Sequence, residues 1–227
     1  MHQYAYRREH STEMVLTEIM DFTHRALIKG HFVYLVSYDV QGAFDEVSHW
    51  HLVEALREHQ VGAYERRAIH GWLRSRTFQV LLTTDTGTYK SAIHPISRGL
   101  PQGGVLSPML WMLYFNNAPS LLKQRRRRRE PTGYKYLDAI FADDITTLIA
   151  GPERKTLGTL AWTNADDVEA LMGEKGQKLA RAKTKNLIYS PILLPEGVFR
   201  RTPTRNWPNT KKRLQAQYRE EARMTSA

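Results

Sequence analysis

Cysteine is absent from all 227 residues, which excludes disulfides and thiolate-bound metal without naming a compartment. Long hydrophobic runs are absent too. No uninterrupted apolar stretch reaches the roughly 18 residues that cross a bilayer. The first ten residues, MHQYAYRREH, hold no apolar segment of the kind a secretory signal needs. There is no internal repeat, and the one low-complexity element is an arginine run at 125–129. Acidic residues are outnumbered, 23 against 33 Lys and Arg, for a formal net charge of +10. That excess is concentrated: the arginine run contributes +5, and residues 197–227, with eight basic and two acidic side chains, contribute +6. The remainder is near neutral. Short basic segments of this sort meet phosphate backbones, the alternative being a solvated charge run.

What is present fits a folded chain. The 41% apolar share is that of an ordinary globular protein. Val15, Ile19, Phe22 and Ala26, with Leu16, Met20 and Leu27 beside them, recur at helical spacing over 13–28. Residues 31–39, HFVYLVSYD, predict a buried strand ending on an aspartate. Ser48 predicts the cap of a helix to about 59, and 64–73 predicts another. Stretches 78–83 and 88–93 flank Asp85-Thr86-Gly87, a predicted hairpin. A Gly/Pro-rich loop occupies 98–104, after which Ser107-Pro108 predicts a helix running toward Leu122. Apolar stretches 136–141 and 145–149 enclose Ala142-Asp143-Asp144, a predicted tight turn with two acids at its tip. A helix over 155–172 and a strand over 186–189 follow, then an irregular segment past Pro191. Trp72, Trp111 and Trp162 lie on apolar helical faces and are expected in the core. Strands and helices mixed without βαβ alternation predict an α+β fold.

The acids carry the chemistry. Packing apolar strands brings their ends to one sheet edge, where Asp39, Asp143 and Asp144 meet. Carboxylates crowded together repel, and a cation offsets the repulsion. Hard oxygen ligands select Mg²⁺ or Mn²⁺, and a pair of such ions serves in-line phosphoryl transfer. Taken alone, Ala-Asp-Asp is as well explained by the preference of aspartate for turns. His49 and His51 stand at i and i+2, facing different ways on a helix, so no zinc site is expected there.

The ordered set of segments is more telling. Residues 36–47 (VSYDVQGAFDEV), 98–116 (RGLPQGGVLSPMLWMLYFN), 141–144 (FADD) and 180–189 (ARAKTKNLIY) resemble motifs A, B, C and D of reverse transcriptases. Residues 9–15 (EHSTEMV) are similar to the end of the fingers segment. The chain thus resembles reverse transcriptases of the non-LTR retrotransposon and group II intron type. Two departures stand out: Phe141 replaces the usual tyrosine, and the arginine run looks like an insertion.

The resemblance implies a polymerase palm, an antiparallel sheet backed by helices, with part of the fingers. Residues 1–30 would be a partial fingers segment and 31–190 the palm with a fingers insertion. Residues 191–227 would be a basic irregular tail with no evident thumb, so the chain reads as a truncated fragment. By the same match Asp39 and Asp143 hold two Mg²⁺ or Mn²⁺ ions, with Asp144 beside them and the Val40 carbonyl as a further ligand. Phe44 stands where a bulky ring excludes a 2′-hydroxyl, while Asp45 is structural. Gln102 and Gly103 approach the incoming nucleotide, and Lys183 sits near its triphosphate. The implied activity is RNA-directed DNA polymerisation, with an RNA template, a DNA primer and dNTPs as partners and no membrane. The alternatives are a degenerate palm that only binds nucleic acid, and an RNA-directed RNA polymerase.

Overall fold

The computed structural model describes residues 4–6, 9–127 and 129–191, and the backbone of Thr202–Pro203. The tail expected over 191–227 therefore lies almost wholly outside the described residues, as does Arg128. The chain begins α1 (Thr12–Ile28), β1 (Phe32–Tyr38), α2 (His49–Glu58), α3 (Ala63–Arg74), β2 (Thr77–Phe78), β3 (Leu81–Thr84), β4 (Gly87–Lys90) and β5 (His94–Pro95). It continues α4 (Ser107–Phe115), α5 (Ala118–Arg126), β6 (Lys135–Phe141), β7 (Asp144–Gly151), α6 (Arg154–Glu174), β8 (Lys185–Tyr189) and β9 (Thr202–Pro203). Two compact units result. One comprises Met1–Gln41, Asn116–Glu174 and Lys178–Ala227; the other comprises Gly42–Phe115 and Lys175–Gln177.

The first unit is built on a five-stranded sheet in the order β6-β7-β1-β8-β9, antiparallel throughout. β1 is central, which suits its β-branched and aromatic sequence. Its register pairs Val33 with Ala150 and Leu35 with Leu148, and Leu148 in turn pairs with Leu137 on β6. These residues share one face, where Val33, Leu137, Leu148 and Ala150 bury against Ala26 of α1, with Ile19 and Phe22 alongside. Fully burying such a side chain is worth roughly 1.5–3 kcal/mol, so this row anchors α1 to the sheet. Alternation sends Tyr34, Val36 and Tyr38 to the opposite face, all buried. There α6 packs, and Asn164 donates to the Tyr38 hydroxyl at 3.0 Å. Ser11 caps α1, its Oγ accepting from the Met14 N–H.

Part of the arginine run is tied into the fold. Arg125 and Arg126 form the last turn of α5. Arg126 is buried and donates to both oxygens of Asp138 on β6, at 2.6 and 2.7 Å. Thr147 donates to the same carboxylate at 2.8 Å. Arg129 pairs with Asp167 and Arg125 with Glu174, both on α6. Three of the five arginines thus clamp α5 and the segment after it to β6 and α6.

The second unit holds α2, α3, α4 and two small strand pairs. Leu52, Leu56, Leu110, Trp111 and Phe115 are buried there, and Ser48 caps α2 by accepting from the His51 N–H. The expected long hairpin is split: β3 pairs with β4 around Asp85-Thr86, while β2 pairs with β5. The helix expected from Ser107 toward Leu122 is likewise two helices, α4 and α5. Pro119 enters the first turn of α5, where its missing N–H does no harm but a continuous helix would have broken. Ser107 does not cap α4 either; its hydroxyl donates to the Pro101 carbonyl at 2.6 Å. Of the three tryptophans expected in the core, Trp111 is fully buried, Trp162 is half-buried and Trp72 is exposed.

Candidate active site

Asp39 follows directly on β1. Since β1 ends with Tyr38 opposite Ile145, one further step of the same register sets Asp39 against Asp144, the first residue of β7. On its other side β1 pairs Ser37 with Lys185; a turn over 180–183 then interrupts that register, and it brings Lys183 Nζ to 3.3 Å from Asp39 Oδ2. Asp143 belongs to the turn, because Phe141 and Asp144 pair directly across a two-residue loop of Ala142 and Asp143. Ala142 has φ +56°, the left-handed conformation that favours glycine at the first position of such a turn. Three separate stretches of sequence therefore deliver Asp39, Asp143, Asp144 and Lys183 to one end of one sheet.

Val40 forms an isolated bridge with Leu179. Ala180 N–H donates to the Asp39 carbonyl and Gln41 N–H to the Lys178 carbonyl, both at 2.8 Å. Because carbonyls alternate along an extended chain, the Val40 carbonyl points away from that bridge, toward the β6–β7 turn. Val40 itself is buried.

The electrostatics are those of an unbalanced acidic cluster. Burial pushes the Asp144 carboxyl above its ordinary value, and the charges of Asp143 and Asp39 push it further in the same direction. Asp39 Oδ2 is buried and makes no hydrogen bond; Lys183 approaches it but not in hydrogen-bonding geometry, and Lys183 is itself mostly exposed. A buried carboxylate oxygen beside like charges suits a hard divalent cation. Among the described residues no group of three or more His, Asp or Glu side chains is placed to hold a metal ion by itself.

Phe44, Gln102 and Gly103 lie in the other unit, on two loops bound to each other. Leu100 N–H donates to the Phe44 carbonyl at 2.7 Å and Gly99 N–H to the Val47 carbonyl at 2.8 Å. Arg98 pairs with Glu46 at 2.7 Å. A Cβ on Gly99 would fall 2.5 Å from the Asp45 carbonyl oxygen, and Gly99 also has φ +84°, so only glycine fits. Gln102 Nε2 donates to Asp45 Oδ1 and Oδ2, at 2.9 and 3.1 Å. Gly103, exposed with φ +78°, completes the turn. Phe44 is half-buried, its ring stacked on Trp111 at 5.0 Å between centroids. His49, buried on α2, hydrogen-bonds the Gly99 carbonyl at 3.0 Å.

A helix-covered antiparallel sheet with acids at the ends of two adjacent strands fits the polymerase palm that the sequence resemblance implies. Solved structures agree on the fold: the apo telomerase of Candida tropicalis truncated from its C-terminal domain gives a TM-score of 0.56 at 14% identity. That match covers 85% of this chain and 40% of the telomerase chain. The Candida albicans telomerase with a telomeric RNA fragment gives 0.51 at 15% identity, covering 77% and 31%. The family follows from sequence. The chain belongs to the reverse transcriptase (RNA-dependent DNA polymerase) family, whose model matches residues 1–218. It is similar to the RNA-directed DNA polymerase of the mobile element jockey from Drosophila melanogaster, 31% identical over 149 residues, which is 64% of this chain and 15% of that protein. A probable RNA-directed DNA polymerase from the Drosophila melanogaster transposon X-element is 28% identical over 146 residues, 63% of this chain and 14% of that protein. The chain thus spans about 15% of the length of the curated relatives it matches.

Proposed function

We propose that this chain carries the polymerising core of an RNA-directed DNA polymerase from a non-LTR retrotransposon, which extends a DNA primer on an RNA template. The observation that carries the reading is the convergence of Asp39, Asp143 and Asp144 in a chain of this family. In the reaction the primer 3′-oxygen bonds to the α-phosphorus of a dNTP, the α–β bridging P–O bond breaks, and pyrophosphate leaves. Asp39 and Asp143 would hold two Mg²⁺ or Mn²⁺ ions, with Asp144 adjacent and the Val40 carbonyl as a further ligand; the buried, unbonded Oδ2 of Asp39 supports that assignment. When bound, the ions lower the barrier by acidifying the attacking hydroxyl and neutralising the leaving group.

The chain's own groups do the rest. Lys183, already in the cluster, offers positive charge, or a proton, to the leaving pyrophosphate. By the family resemblance, Phe44 would be the ring that a ribose 2′-hydroxyl strikes, and Gln102 and Gly103 would approach the nucleotide. The degenerate-binder alternative is weakened because Arg125, Arg126 and Arg129 are engaged with acids of their own unit.

Primer extension decides between the readings. On a primed RNA template with Mg²⁺ or Mn²⁺, the chain is expected to incorporate dNTPs, and Asp143→Asn to abolish it. Salt-sensitive nucleic-acid binding without incorporation would leave only the binding role, and a preference for rNTPs would make it an RNA-synthesising enzyme.

A further inference from the structure

Asp45 drew only a structural reading from the sequence, yet both its carboxylate oxygens are taken by one side chain. We propose that Asp45 is a positioning residue: it holds the Gln102 carboxamide nitrogen, so that Gln102 presents its oxygen and meets the nucleotide as a hydrogen-bond acceptor. This deepens the proposed function and rests on it, because it takes Gln102 as facing the nucleotide.

The argument is one of donor and acceptor inventory. An amide carries an N–H₂ end that donates and an oxygen that accepts, and the two ends are nearly equal in shape. An ionised carboxylate only accepts. Gln102 Nε2 stands 2.9 and 3.1 Å from the two Asp45 oxygens, and the reversed amide would set oxygen against oxygen. Asp45 therefore dictates the flip, leaving Oε1 as the end of the amide not bonded to Asp45. Oε1 takes a hydrogen bond from a hydroxyl or an amine and repels a phosphate oxygen. The contact belongs to the sugar or base of a nucleotide, not to its triphosphate.

The surroundings keep the two residues in register. Glu46, next to Asp45, binds Arg98, and the backbone on either side is bonded to Gly99 and Leu100. The missing side chain of Gly99 lets the glycine loop lie against the Asp45 backbone. Asp45 and Gln102 are both exposed. An exposed polar pair adds little to stability, so its consequence is orientation.

The test uses the full chain on a primed RNA template. Asp45→Asn can offer Gln102 either amide end and so no longer fixes the flip. It is expected to raise the KM for dNTP roughly five- to tenfold with kcat within about twofold. In a Gln102→Ala background the same change is expected to have no further effect, since Asp45 acts through Gln102. A side-chain amide spectrum gives a readout independent of turnover: the Gln102 N–H₂ resonances should shift in Asp45→Asn, which removes the carboxylate they face. Incorporation with an unchanged KM, or an equal effect without Gln102, would overturn the proposal alone. No incorporation by the unaltered chain would remove the functional reading, and this proposal with it.

Discussion

Two aspartates of one sheet, Asp138 and Asp39, show opposite ways of keeping a carboxylate away from water. Asp138 sits mid-strand on β6, its side chain 8% exposed, and both oxygens accept from Arg126 while Thr147 adds a third bond. Asp39 sits just past the end of β1, its side chain 30% exposed, with one oxygen buried and unbonded and a solvent-facing lysine at 3.3 Å. Asp144 is a further, like-charged neighbour. The first carboxylate has its full complement of partners inside the fold. The second keeps an oxygen without a hydrogen bond, which a cation or substrate can meet.

If the comparison holds, the two positions answer mutation differently. On the proposed function, Asp39→Asn lowers dNTP incorporation by roughly a thousandfold, the scale of losing a cation ligand at the reacting centre. It leaves stability within about 1 kcal/mol, since no hydrogen bond to Oδ2 is lost. Arg126→Met does the reverse by stranding a buried charge: urea unfolding should show a loss of about 3–5 kcal/mol. Adding Asp138→Asn, which removes that charge, should recover much of the loss. An Arg126→Met loss below about 1 kcal/mol would erase the distinction between the two carboxylates.

This contrast also explains what was legible in the sequence. Most elements were, because hydrophobic period and caps such as Ser48 are local signals. The acidic cluster was legible because each acid ends an apolar strand and register does the rest. The partners of the arginine run were not legible, because charge in a sequence is weighed against its neighbours. Its partners Asp138, Asp167 and Glu174 lie 12, 38 and 49 positions further along the chain. A signal was present in YLDAIF, where an aspartate inside an apolar strand demands a buried cation. The Asp45–Gln102 bond, spanning 57 positions, had no local signature at all.

The turn beside the acids offers a smaller effect. Ala142 holds φ +56°, a conformation costing a residue with a Cβ about 1–2 kcal/mol. Ala142→Gly relieves it, less the entropy glycine loses on folding. A net gain of about 0.5–1 kcal/mol in urea unfolding is expected. A loss instead would mean that the methyl group makes contacts worth more than the strain.

The smallest effect tests the charge imbalance itself. Burial, then Asp143, then Asp39 hold the Asp144 carboxyl above its ordinary value. A carboxyl raised in the folded state favours folding while protonated, and that advantage is lost as pH rises through the folded value. At pH 7 the ionised Asp144 therefore costs stability, and Asp144→Asn removes the cost. The group is well over a third exposed, so solvent screening keeps the gain below about 1 kcal/mol, or about 2–4 °C in Tm. Below the ordinary carboxylate range both forms are neutral and the gain should vanish, which paired melts at pH 7 and at acid pH measure directly. Adding Mg²⁺ at pH 7 should shrink it too, because a bound cation offsets the same repulsion. An equal gain at both pH values, indifferent to Mg²⁺, would show that Asp144 feels no field from Asp39 and Asp143.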